Sequence, residues 1–565
     1  MKMLLQYSSL VLLLTGLINS WAMAMDEYVL DSLLEQRSME YQGDVYYNKG
    51  NDYSEKGMYE RALTAYNKSI SLLPNNASAY YNRGNANLAL KEYYKAIEDY
   101  EIAIALKSDY IKAIYNCGFA WNNLGKHDQA INYFSKALDL DPNYTLALES
   151  RGVAYIKKND YSKGIQDLNK VINVDPNSFE AYYYKGIAEF ETKNYKANLA
   201  SMTAALRLKP EFFPALFMRG ISRIETGNCK SGTLDLNRFI DFHDKKEANA
   251  YYYRAKCSYE NRGYNAAVKD LDLAIYYNKR HGAAYHMRGV IEAKTGDQEK
   301  AIEDLSIAIK LNSKNAESYH YRGVSQYRLK QYNEALADLE RAIDLGFKEA
   351  NTYYYKGRSL EMLRKPLESI LAFDAAIAID SNHIDAYNYR GNAYWVTRQF
   401  PSALENYEKA LTIDVNYYKA YNNRGNVRKN HLKDAEGAMR DYTKCLLLNS
   451  SCWQAYSNRG ELYENYYNEP KKAAYDYEHL IQLRPNDLQN YIKLAEVYKT
   501  LYEHLEAAQT YSQYLKRRPN DARILFLRGD CYAKNFDIQK ACEDYQSAAE
   551  KGYNPAVEAW QQWCK

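Results

Sequence analysis

Across most of the chain the apolar positions follow one repeating order. A glycine is followed twelve positions on by an alanine, four further by a large residue, and three beyond that by a second small one. Steps of four and three place side chains on one face of an α-helix. Tyr47-Asn-Lys-Gly50, Tyr81-Asn-Arg-Gly84 and Tyr115-Asn-Cys-Gly118 set the register at 34 residues, which continues through Gly152, Gly186, Gly220, Gly289, Gly323, Gly357, Gly391, Gly425, Gly460 and Gly529. Ala255 and Ala495 fill the two gaps, giving fifteen units, and only the steps into Ala255, Gly460 and Ala495 are 35 residues long.

With the glycine taken as position 8, position 20 is Ala in nine units (Ala62, Ala96 and Ala130 among them), and position 27 is Ala in as many (Ala103, Ala137, Ala205). Position 24 is large: Tyr66, Tyr100, Phe134, Phe373, Tyr407, Tyr442, Tyr477, Tyr511 and Tyr545 are examples. Pro74, Pro142, Pro176, Pro210, Pro485 and Pro519 stand at position 32, where a proline ends one helix and opens a turn. Each unit is therefore predicted to be two antiparallel helices of about 14 residues, touching closely where only Gly and Ala fit, with the large residue filling the space beside them. One hairpin cannot bury its second face, so stacking is predicted to continue as a single array without domain breaks.

This order resembles the tetratricopeptide repeat family, over about residues 43 to 555. The resemblance implies an all-α fold, a right-handed superhelical solenoid of about fifteen helix-turn-helix hairpins. Residues 25–42 are expected to form a leading segment. Residues 556–565 are expected to form a capping helix whose Trp560 and Trp563 cover the last apolar face. The ending, with Lys540 to Tyr545 and then Cys564, is similar to those of bacterial envelope repeat proteins.

The first 24 residues have a different pattern. Lys2, the apolar stretch Leu10 to Ile18 and the small residues of Ala22-Met23-Ala24 have the layout of a signal peptide with cleavage after Ala24. The mature chain is then expected to be periplasmic, secreted or outer-membrane associated, with no integral membrane span; the alternative is an uncleaved anchor over Met3 to Ala24. Export makes eight Cys a disulfide question. Cys531 with Cys542, at positions 10 and 21 of one hairpin, and Cys229 with Cys257, in neighbouring units, are the candidate pairs. Cys564 competes for Cys542, Cys445 and Cys452 flank one turn, and Cys117 reads as a buried thiol.

Charge and chemistry narrow the function by exclusion. The 74 Lys and Arg and 71 Asp and Glu are interleaved, so no stripe for a polyanion is visible. The repeats and caps leave no room for a catalytic domain, and no phosphate-binding Gly loop, His-Glu-x-x-His helix or Gly-x-Ser-x-Gly elbow occurs. No catalytic residues, cofactor or metal are expected. The doublets Glu98-Asp99, Glu303-Asp304 and Glu543-Asp544 read as a solvated helix face, and His286 and His320 as solvent-facing groove residues.

In the resembled family, positions 2, 5, 6, 9 and 12 of successive first helices line a concave groove. Here position 6 runs Asn48, Asn82, Asn116, then Tyr253, Tyr321, Tyr355 and Tyr389 among other large residues, then Asn423 and Asn458. Position 9 begins Asn51, Asn85, Phe119, turns aliphatic, and returns through Asn392 and Asn426 to Glu461, Glu496 and Asp530. Amides supply donors and an acceptor matched to a peptide group. The ends resemble the asparagine ladder of the O-linked N-acetylglucosamine transferase family, which implies capture of an extended backbone; the alternative is that Asn at these positions bridges neighbouring units and Tyr pads the stack. Asn51, Asn82 and Lys112 also match three residues of the carboxylate clamp of chaperone-adaptor repeats, but Tyr47 and Asn116 replace its cations.

The function that follows is a non-catalytic scaffold for a protein or extended peptide, with no nucleic acid and no small-molecule substrate. The alternatives are a regulatory or assembly subunit of a separate envelope enzyme or secretion complex, and a helical-repeat RNA-binding protein.

Overall fold

A computed structural model describes residue 29 and residues 31–565. The signal layout over 1–24 lies outside the described residues, as does the start of the leading segment. The described residues are α-helical throughout, apart from turns and one π-helical segment, and contain no strand. Fifteen helix pairs follow one another. The first pairs residues 31–55 with the helix Tyr59–Leu72; the last pairs Ala522–Lys534 with Ile538–Glu550, and a final helix, Asn554–Trp563, follows it. The leading segment is no separate element, because residues 31–42 run straight into the first helix of the first hairpin. Among the described residues no helix is long and apolar enough to cross a membrane.

The array is divided where one unbroken stack was expected: one compact unit ends at Lys279 and a second begins at Arg280. Seven hairpins lie in the first and eight in the second.

Local chemistry sets the helix ends. Asn76, Asp160, Ser178, Asn194 and Asn228 in the first unit, and Asp297, Asn315, Asp434, Asp521 and Asp537 in the second, cap the helices that follow them, each accepting a backbone N–H three residues on. The inserted residues fall at junctions. In the hairpin of Gly425 the extra residue is taken up by the π-helical turn Arg428–Leu432, so that Tyr442 still reaches its glycine.

Packing inside a hairpin follows the position 8 and position 24 pair. A Cβ on Gly50 would stand 2.4 Å from the ring of Tyr66, and one on Gly391 2.6 Å from Tyr407. The large residue thus lies directly over the glycine. Where position 24 is Leu168, the second helix carries Gly164 at position 20, and a Cβ on Gly152 would meet the Gly164 carbonyl at 3.3 Å. Backbone approach and ring packing are two ways of filling the same space. All fifteen position 24 side chains are buried.

Candidate functional site

The residues assigned to the groove are built on this core contact. A tyrosine over the glycine buries its ring but still carries a hydroxyl, which needs a partner. Tyr66 donates to Asn51 Oδ1 at 2.8 Å, Tyr100 to Asn85, Tyr407 to Asn392 and Tyr442 to Asn426, each at 2.8 Å. The same oxygens accept again from the next hairpin: Asn82 Nδ2 reaches Asn51 Oδ1 at 2.9 Å, Asn116 reaches Asn85 at 2.8 Å, and Asn423 reaches Asn392 at 3.0 Å. The second N–H of Asn82 goes to the Tyr47 hydroxyl at 3.1 Å, and that of Asn116 to Tyr81 at 3.3 Å. The amides expected to stand as a free ladder are therefore links of a relay, position 24 to position 9 to the following position 6. Asn48 alone of these begins no such link and is exposed, as is Lys112.

The relay accounts for the zoning. Wherever position 24 is Tyr, position 9 is Asn, Glu or Asp; wherever it is Phe, Leu or Met, position 9 is Phe119, Val153, Ile187, Ile221, Lys256, Val290, Val324 or Arg358. At the acidic end Tyr511 donates to Glu496 at 2.6 Å and Tyr545 to Asp530 at 2.8 Å, while Tyr477 uses Glu464 at 3.0 Å. Glu461 instead joins Lys429 (2.8 Å) and Lys493 (2.7 Å), which hold its carboxyl below the ordinary range although burial opposes the charge.

The aromatic candidates are half-buried and packed among themselves. In the first unit Tyr253 lies 5.2 Å from the Tyr252 ring; burial first and then Glu225 push its pKa up to about 12. Phe119 is exposed. In the second unit Tyr355 lies 5.4 Å from Tyr327 and 5.1 Å from Tyr354, and the Arg358 guanidinium sits 3.5 Å over the ring of Tyr389. Arg358 also donates to Glu361 at 2.9 Å. Tyr321 packs 5.0 Å from His320 and under Lys294. His320 is buried rather than solvent-facing, bonded to the Thr352 hydroxyl at 2.9 Å, and burial lowers its pKa to about 4. His286 meets Ser318 at 2.8 Å. Among the described residues no three His, Cys, Asp or Glu side chains are grouped to hold a metal ion.

The acidic doublets are split. Glu98, Glu303 and Glu543 are exposed, but Asp99, Asp304 and Asp544 are buried and each takes a two-pronged bond from an arginine at position 7 of its own hairpin. Arg151–Asp167, Arg219–Asp235, Arg254–Asp270, Arg322–Asp338, Arg424–Asp441 and Arg459–Asp476 repeat the pairing. A solvated face does not describe these carboxylates. The arginine also reaches back to position 25 of the preceding hairpin, as Arg83 to Asn67 (2.7 Å), Arg151 to Ser135 (2.9 Å), Arg322 to Ser306 (3.0 Å) and Arg528 to Ser512 (2.9 Å). The bridging of neighbouring units by Asn was one of the two readings the sequence offered; its dependence on the position 24 hydroxyl, and the arginine clamp, went unrecognised. Their signal was there, in the way position 9 follows position 24, and position 7 follows position 23.

Of the cysteine candidates, Cys229 and Cys257 are joined, with Cα atoms 5.5 Å apart. Cys531 and Cys542 are not: Cys542 bonds Cys564, and Cys531 is a buried thiol whose pKa burial raises to about 11. The bond pins the final helix, which buries Ala556 and half-buries Trp560 but leaves Trp563 exposed, so one of the two tryptophans expected to cover the end does so.

Paired helices repeated in one register, with side chains linking successive hairpins within each unit at several junctions, define a helical-repeat scaffold. Family profiles agree along the chain. Those described as TPR repeat match residues 43–91 and 289–330, and those described as tetratricopeptide repeat match 77–110, 111–144, 152–211, 316–346 and 493–555. The chain belongs to the tetratricopeptide repeat family, whose repeats serve as protein-interaction scaffolds. No curated protein matches it. Among solved structures it is similar to YrrB, a TPR protein with an unusual peptide-binding site, at 20% identity over 33% of this chain and 95% of that one, with a TM-score of 0.30. It is also similar to a tetratricopeptide repeat protein from Parabacteroides merdae ATCC 43184, at 19% identity over 48% of this chain and 99% of that one, with a TM-score of 0.34. The APC/C hetero-tetramer Cut9-Hcn1 gives 13% identity over 88% of this chain and 97% of that one, with a TM-score of 0.36.

Proposed function

We propose that the chain is an exported scaffold that holds an extended peptide or protein segment along the first helices of its hairpins. One observation carries the reading: at the start of the array the relay uses only half of the amides of Asn51, Asn82, Asn85 and Asn116. The oxygens of Asn51 and Asn85 each accept two bonds, leaving the Nδ2 groups without a partner among the described residues, while Asn82 and Asn116 donate twice and leave their oxygens so. The core thus holds a donor and an acceptor on neighbouring helices, the complement of a peptide group. Phe119 and Lys112 add an exposed ring and cation beside them. The signal layout supports work in the envelope or outside the cell.

The test is a photo-crosslinking amino acid placed at Lys112, at Phe119 and, as a control away from the groove, at Glu303, in the full chain expressed in cells that are then fractionated. Adducts with an envelope or secreted protein at Lys112 and Phe119 but not at Glu303 are expected, on a chain that begins at Met25. Adducts confined to Glu303 would remove the groove from the proposal, and a cytosolic chain beginning at Met1 would remove the export.

A further inference from the structure

The position 27 alanine and the first-helix cap of the next hairpin stand seven residues apart all along the array: Ala103 and Tyr110, Ala137 and Tyr144, Ala376 and His383, Ala410 and Tyr417. At one junction both are cysteine, Cys445 and Cys452. Cys445 lies in the last turn of the helix Ala435–Leu448, and Cys452 caps the helix Trp453–Asn465. The turn between them is tight. The Asn449 N–H donates to the Cys445 carbonyl at 2.8 Å, and the Cys452 N–H donates to the Asn449 carbonyl at 3.1 Å. Both thiols are buried in one apolar cluster and neither is in a disulfide; the Cys452 thiol donates to Gln454 Oε1 at 3.9 Å.

The two are not equivalent. Cys452 lines a cavity of about 440 Å³ with Asn388, Asn392, Asn423 and Trp453, and Cys445 does not. Cys452 also stands at a helix N-terminus, where backbone N–H groups favour an anion. The Cys445 thiol and the Ala455 N–H lower its pKa, while Cys445, as hydrogen-bond donor in a buried site, is raised.

We propose that Cys445 and Cys452 are a third disulfide-forming pair, with Cys452 the thiol that exchanges with an external disulfide through the cavity and Cys445 the one that resolves the adduct. With a low-molecular-weight disulfide as oxidant, the Cys452 thiolate attacks one of its sulfurs. The oxidant's S–S bond breaks, and one half leaves as a thiolate that takes up a proton. Cys445 then loses its proton to solvent and attacks Cys452 Sγ, expelling the second half as a thiol. Two electrons and two protons pass from the protein pair to the oxidant. The new bond would tie the second helix of one hairpin to the first helix of the next, beside the relay asparagines Asn392 and Asn423.

The experiment uses the folded full-length chain, oxidised glutathione as probe, alkylation of remaining thiols, and mass mapping. A linked Cys445–Cys452 peptide is expected, with Cys117 and Cys531 still alkylated. The Cys445→Ser variant should accumulate glutathione on Cys452. The Cys452→Ser variant should take it up at Cys445 about tenfold more slowly, since that thiol is both buried and protonated. A far-UV melt establishes that each variant is folded. Both cysteines found alkylated and unlinked in the folded wild-type chain after oxidation would overturn the pairing. Equal rates in the two variants would overturn the division of roles.

Discussion

The hairpin of Gly84 and the hairpin of Gly152 share one frame and solve its central contact differently. In the first, a tyrosine over the glycine brings a hydroxyl into the core, and Asn85 and Asn116 are recruited to satisfy it. In the second, Leu168 lies there, the helices close through Gly164, and position 9 is Val153. The chemistry that a ligand would meet on the first helix is thus fixed by a buried atom on the second. The zoning of position 9 in this chain follows the core residue at position 24. The arginine clamp, by contrast, is common to both hairpins, as Arg83–Asp99 and Arg151–Asp167.

The largest expected effect tests that common part. Arg83→Met and Arg151→Met each leave a buried carboxylate without its cation and should each cost about 3–5 kcal/mol in a denaturant melt of the full chain. If the two losses differ by more than half, the clamp is not independent of the zone it serves.

Next comes a pH difference. His320, at position 5 in the aliphatic stretch, is neutral when folded, with a pKa near 4, because burial disfavours its charged form. Its ordinary value is about 6.5, so between those two pH values the unfolded chain binds a proton that the folded chain does not. The stabilising difference is present above pH 6.5 and is lost as pH falls through 4, a loss on the order of 3 kcal/mol. From pH 7 to pH 4.5 the amides of the helix Ala316–Arg328 should therefore lose protection, measured against the intrinsic chemical rate at each pH, in excess of other helices, and His320→Gln should abolish the excess. Tyrosine occupies position 5 in the amide hairpins of Tyr47 and Tyr81, which should show no such excess.

The smallest effect is the sharpest test of the comparison itself. Tyr100→Phe removes one hydrogen bond and should cost about 0.5–1.5 kcal/mol. Adding Asn85→Val, the pairing used at Val153, should cost less than the sum of the two single changes, because the acceptor is no longer needed. Strict additivity in that double-mutant cycle would break the proposed dependence of position 9 on position 24.

The hairpin frame was legible in the sequence because small and large residues are imposed by helix packing, and Gly84, Ala96, Tyr100 and Ala103 each advertise a volume. Polar roles were less so. Asn85 can face a ligand or a tyrosine with the same side chain, and Asp99 beside Glu98 looks like one more surface charge until Arg83 is placed against it. Cys542 had one candidate partner before it and a second, twice as far along the chain, after it, and only the docking of the last helix selects Cys564. The π-helical turn at Arg428–Leu432 showed only as a step one residue too long.

The backward reach of each hairpin gives the chain a direction in time. Asn67 and Asn51 are met by Arg83 and Asn82, residues of the following hairpin, so a newly made hairpin is complete in volume but not in its polar contacts. On a ribosome adding about 5–20 residues per second, these partners, 16 and 31 residues further on, arrive about 1–6 s later. At the junctions that carry such links, the unfinished end is always the most recent, and the new repeat finishes its predecessor. After the hairpin Ala522–Glu550 comes the helix Asn554–Trp563, and the Cys542–Cys564 bond fastens it to that hairpin covalently.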